Sequence, residues 1–163
     1  MIFTPHIILG AAIGAKTHNL GLIIILGLLS HFIMDKIPHW DYSWSGIKTF
    51  KKTNDFKTLF FDFLKIATDC IFGLLIVFLV SWYRNFLNFN YLPFILFGIF
   101  ISILPDITIG LSWLSTGRAT RHIKLLEKYH YPKDKEKEGK ITFLGLTTEI
   151  LVIIISIITL FFF

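Results

Sequence analysis

The chain has 163 residues, 54% of them hydrophobic and 17% aromatic, with a net charge of +5 and a mean hydropathy of +0.67. A soluble domain is about 45–50% apolar, and here the apolar residues gather in four long runs, each near the ~20 residues that cross a bilayer core. The composition excludes a separate soluble domain, and the one cysteine, Cys70, excludes a disulfide framework or a cysteine-based zinc site.

The expected fold is all-α: an integral membrane bundle of four to five helices filling residues 1–163 as one domain. The basic excess reads as topology and contact with membrane lipids, and no nucleic-acid partner is expected. The first helix is expected over about 3–15. Residues 7–15 have the length of a secretory apolar region, but no Lys or Arg precedes them. The segment is therefore read as part of the mature bundle. His6, Gly10 and Gly14 share a face, and the Gly-xxx-Gly spacing lets two helix backbones approach closely. The expected partner is the Gly27 face of the second helix, about 20–37, across the turn at 16–19. His6 and His31 would then lie at similar depth.

The second helix carries His31 and Asp35 four residues apart, on one face. Pro38 stops it, and His39 and Asp41 follow just beyond. A polar connection is expected over 38–58, with Trp40 and Trp44 in the aromatic belt of a membrane surface. The third helix, about 59–83, brings Asp62 and Asp69. The fourth, about 91–114, holds Leu104-Pro105-Asp106 inside its apolar run. A second polar connection covers 115–140, with His122 and His130, and the last helix, about 141–163, is apolar apart from Glu149.

The two connections carry most of the basic residues, among them Lys48, Lys51, Lys52, Arg118 and Arg121, whereas the opposite side shows Lys16 and Arg84. The positive-inside rule places the connections in the cytoplasm and the C-terminus outside. The intramembrane acids and histidines then all fall in the cytoplasmic half. A charge at mid-bilayer costs roughly 2.5–3.5 kcal/mol on insertion scales, so several acids together need a counter-charge, and a divalent metal is the economical one. Helix bundles build such sites from inward-facing carboxylates and histidines. The expected ligands are His6, His31, Asp35, His39 and Asp106, drawn around zinc first, with manganese or iron open. Asp62, His122, His130 and Glu149 read as solvated or interfacial groups.

Thr4-Pro5-His6 followed by Gly10, the run Ser30-His31-x-x-x-Asp35-x-x-Pro38-His39, and Leu104-Pro105-Asp106 together resemble a bacterial family of small inner-membrane proteins. These are described as metal-dependent hydrolases, loosely akin to zinc-dependent phospholipase C. The resemblance spans roughly residues 3 to 130. Better-known members follow their Pro-Asp with an Asp-His pair, whereas here Asp106 leads into Ile107-Thr108-Ile109-Gly110. The resemblance implies a membrane-embedded hydrolase of phosphoesters such as lipid headgroups. In that reading Asp69 or Asp41 serves as general base, and Arg118, Arg121 and Lys48 hold a phosphate at the cytoplasmic surface. Two other readings stay open: a divalent-cation or proton transporter, and a membrane scaffold with a structural metal.

Overall fold

The computed structural model describes residues 1–116 and 141–162. Among them the chain is all-helical, with α1 (Phe3–Thr17), α2 (Leu20–Met34), α3 (Ser45–Thr53), α4 (Phe56–Tyr83), α5 (Leu92–Thr116) and α6 (Phe143–Phe162), and no strand. Three helices are long and apolar enough to cross a membrane: Phe56–Tyr83, Leu92–Ser115 and Phe143–Phe162. The 15 residues of α2 are apolar but shorter, about 22 Å at 1.5 Å per residue. The expected second helix thus ends early, at Met34, and Asp35 is its C-cap residue. The segment 38–58, expected as a polar connection, contains α3. This is an amphipathic helix that buries Gly46 and Ile47 and exposes Lys51 and Lys52.

Local chemistry sets most helix ends. Asn19 accepts from the Leu22 N–H and starts α2, and Asp55 accepts from the Lys57 and Thr58 N–H groups and starts α4. His18, at φ 44°, closes α1 in the left-handed region. By contrast, α1 has no side-chain cap of its own, and a distant residue supplies one.

α1 is the centre of the bundle. Nearly all of it is buried, from Phe3 to Ala15, and it packs against α2, α4, α5 and α6. The other helices keep one face inward. On α2 that face is Ile23, Gly27, His31 and Met34; on α4 it is Asp62, Gly73, Val77 and Ser81. Their outer faces are apolar and exposed, as with Leu22, Ile25 and Leu29 on α2 and Leu75 and Leu79 on α4.

The expected Gly10–Gly27 contact does not form. Gly10 lies against α5, where an added Cβ would stand 2.5 Å from the Gly98 carbonyl oxygen, and Gly27 also meets α5, at Ile101. The small residues of α1 select α5 because Gly98 and Ser102 offer a matching shallow surface. The chain after α2 folds back across one end of the bundle. Trp44 is buried and stacks on Phe3 at 6.3 Å, with Tyr42 stacked on Trp44 at 6.5 Å. Trp44 is thus a core residue, not a belt residue, and Trp40 is half-buried. α6 pins this segment: Gly145 sits against the His39 and Trp40 backbone, and the Thr148 hydroxyl donates to the Pro38 carbonyl.

Candidate metal centre

Three helices deliver the polar cluster. His6 comes from the first turns of α1, His31 and the adjoining Asp35 from the end of α2, and Asp106 from α5. All four are at least 97% buried. One ligand atom each from His6, His31 and Asp106 lie within 4.8 Å of one another. The His6 and His31 rings approach to 4.3 Å between centroids, which agrees with the similar depth inferred from spacing.

Asp35 ties the two imidazoles together. Its Oδ1 is 3.2 Å from His6 Nε2 and its Oδ2 is 3.2 Å from His31 Nε2. The Met1 ammonium donates to the same Oδ1 at 2.9 Å and lies 3.7 Å from Asp41 Oδ2. Burial by itself lowers the ammonium's pKa, but Asp41, Asp35 and Asp106 outweigh it and raise the value to about 10. The ammonium in turn offsets part of the carboxylates' charge.

Asp69 has a different occupation. Its carboxylate accepts from the Phe3 N–H at 2.5 Å, the Thr4 N–H at 3.3 Å and the Thr4 hydroxyl at 2.6 Å. It is the missing cap of α1, delivered from the middle of α4. A helix N-terminus favours such a charge. Gly73, one turn along α4, lets the two helices approach: a Cβ there would lie 3.1 Å from Thr4 Cα. On α5, the Ser102 hydroxyl donates to the His6 carbonyl at 2.6 Å. Asp69 and Ser102 thus fix the height and rotation of the turn that carries His6.

The other expected residues lie outside the three-residue group. His39 is half-buried, and its Nδ1–H donates to the Ile37 carbonyl at 2.7 Å. Burial, chiefly, pushes its imidazole down to about 4. Asp41 sits at the rim, its side chain 22% exposed. Glu149, expected as an interfacial group, is 2% exposed and lies against the Ile2 backbone. Asp62 is buried as well, accepting from the Ile47 N–H at 3.1 Å and the Lys65 ammonium at 2.9 Å. It fastens α3 to α4. Lys48 is half-buried on α3. Arg118, Arg121, His122 and His130 lie outside the described residues.

Sequence reasoning missed Thr4, Ser102 and Gly98. Thr4 opens the Thr-Pro-His run, and a hydroxyl at a helix start is a capping signal. The other two had no signal beyond being small. Comparison with protein-family models, with curated proteins and with solved structures returns no match.

The donor set fits a divalent ion. Two imidazoles and a carboxylate suit zinc, at about 2.0–2.2 Å from each donor. In tetrahedral coordination two such donors stand about 3.4 Å apart, so the present spread of up to 4.8 Å would close by about 1.4 Å on binding. His6 Nδ1 is buried with no hydrogen-bond partner among the described residues, an arrangement that a ligand or ion would relieve.

Proposed function

We propose that the chain is a membrane-embedded, metal-dependent hydrolase acting on phosphoesters, lipid headgroups among them. The observation that carries this reading is the convergence of His6, His31 and Asp106 from three helices onto one buried point. Zinc is the first choice of metal, with manganese or iron as alternatives. The Lys and Arg distribution supports an inner-membrane location with the cluster toward the cytoplasm and the C-terminus outside.

His6, His31 and Asp106 would hold the metal. Asp35, in contact with both imidazoles, would orient them or join them as a ligand; metal-binding histidines commonly donate their second N–H to such a carboxylate. A bound divalent ion supplies Lewis acidity and lowers the pKa of water toward ~7. Asp41, at the rim and partly exposed, would take a proton from water. Asp69 is committed to three donors of α1 and serves as a positioning residue. Lys48, with Arg118 and Arg121, would hold the substrate phosphate.

A conducting pathway would continue polar through the bundle. Farther along α4 and α6, the buried polar residues are Ser81 and Ser156, neither of them charged, which favours a closed centre over transport. The test is metal content of the detergent-purified protein, wild type against Asp106→Ala, followed by hydrolysis of a generic phosphodiester and of phospholipid with and without chelator. A stoichiometric metal lost in the variant, with chelator-sensitive hydrolysis, supports the proposal. A retained metal with no hydrolysis points instead to a structural role, and no metal in the wild type overturns both.

A further inference from the structure

One side of α4 is not simply a convex apolar face. Between it and the chain at 40–43 runs an open groove of about 780 Å³, within the usual range for small-molecule sites. One wall is a stripe of α4, Leu64, Thr68 and Phe72. Trp40, Tyr42, Ile2 and Asp69 also line the groove. The stripe from Leu64 to Phe72 runs roughly 12 Å along the helix axis.

Three observations say what fills it. First, α4 is 28 residues long with a mean hydropathy of 2.3, and only 11% of its apolar window is buried inside the bundle. Where α4 spans the bilayer, as its length and hydropathy allow, a groove along it faces acyl chains. Second, the half-exposed Lys65 ammonium stands at one end of the groove, beside the Ser43 carbonyl and the Asp62 carboxylate. An ammonium has three donors, so one remains for a phosphate oxygen. Third, the Trp40 indole N–H and the Tyr42 hydroxyl are shielded from water and have no hydrogen-bond partner among the described residues. Tyr42 is more than nine-tenths buried. Both residues line the groove, and donors left without a partner there favour an occupant that offers acceptors, such as ester oxygens.

The groove is separate from His6, His31, Asp35 and Asp106, none of which lines it, and Asp69 is its structural link to them. Asp69 caps the turn of α1 that precedes His6, and Tyr42 lies in the electrostatic field of Asp69, Asp41 and Asp106.

We infer that this groove is a lateral binding site for a bilayer phospholipid: one acyl chain lies along Leu64 to Phe72, and the ester and phosphate rest between Tyr42 and Lys65. The inference rests on the proposed hydrolase reading for its purpose, but lipid occupancy can be measured without any hydrolysis.

The experiment uses the full chain in nanodiscs containing a phospholipid with a photoreactive diazirine on its acyl chain. After illumination, labelled residues are mapped by mass spectrometry. Labelling is expected to concentrate on residues 40–43 and on Leu64, Lys65, Thr68 and Phe72 of α4. In Thr68→Trp, which fills the groove from an exposed position, it should fall about fivefold or more, the loss expected when an indole takes the place of the chain. Leu75→Trp, farther along the exposed face of the same helix, should leave the pattern unchanged, and both variants should keep the wild-type metal content. Labelling spread evenly over Ile71, Leu75 and Leu79, or unaffected by Thr68→Trp, overturns the inference. Groove labelling in a protein that binds no metal would keep the lipid site and remove the hydrolase. Metal-dependent turnover of a soluble phosphodiester with no groove labelling would do the reverse.

Discussion

Replacing Gly10 with alanine should separate His6 from Asp106. The two residues sit on α1 and α5, which run antiparallel, and both lie one turn toward the same end from the contact between Gly10 and Ser102. A Cβ at Gly10 would lie 2.4 Å from Ser102 Oγ and 2.5 Å from the Gly98 carbonyl oxygen. Ser102 can rotate, but the Gly98 backbone cannot. Ordinary contact begins at 3.4 Å, so the helices must part by the difference between 3.4 and 2.5 Å, about 0.9 Å. That displacement also breaks the Ser102–His6 hydrogen bond. Metal–donor distances tolerate only about ±0.2 Å, so metal affinity should fall by about 10–100-fold, the range seen when the supports of a ligand are disturbed. Stability responds less. Overpacking costs about 1–3 kcal/mol, and alanine returns up to about 1 kcal/mol of helix propensity. The assay is metal content at limiting metal, read beside thermal unfolding in detergent. Gly21→Ala is the control, because its Cβ would meet nothing nearer than Asn19 Oδ1 at 3.3 Å. Wild-type metal content and Tm in Gly10→Ala would refute the claim that this crossing sets the centre.

Two further predictions concern its surroundings. Asp69→Ala should destabilise the protein by about 2–4 kcal/mol, since three donors of α1 lose a charged acceptor, whereas Asp69→Asn keeps an acceptor oxygen and should cost less than about 1 kcal/mol. Unfolding and hydrolysis measured on both variants decide the role: lost activity in Asp69→Asn at unchanged Tm would make it a base after all. His39 supplies a pH dependence. Its imidazole is held near 4 in the folded chain against an ordinary 6.5, so the unfolded state binds the extra proton between these values and stability falls as pH drops below about 6.5. For a half-buried ring this is worth about 1–2 kcal/mol. The wild type should lose more Tm than His39→Gln on going from about pH 7.5 to about pH 4.5; parallel curves would show that burial of His39 carries no such linkage.

Several features could be read from sequence because they are local. Apolar runs of sufficient length mark α4, α5 and α6 wherever they pack, since backbone groups in a bilayer must be satisfied within the helix. His31 and Asp35 share a face by helical period alone, and they do meet. The depth ordering put His6, His31 and Asp106 in one set with Asp35, Asp62, Asp69 and Glu149, and only the structure singles out the first three as one group.

What needed the tertiary structure was the choice of neighbours. These helices are apolar on nearly every side, so periodicity cannot say which face turns inward. That choice is made by small residues, such as Gly10 against Gly98, and by buried polar groups that must find partners. Asp69 reads the same in sequence whether it is a base or a cap; only the packing of α4 on the first turn of α1 shows its carboxylate engaged by Phe3 and Thr4. Glu149 looked like a polar helix start and is buried because α6 closes over the N-terminal turn. The sequence by itself determined which residues lie at one depth of the bundle, because rise per residue is fixed. The tertiary structure decided which of them touch, because contact depends on helix rotation and crossing, which small side chains and hydrogen-bond partners from distant segments control.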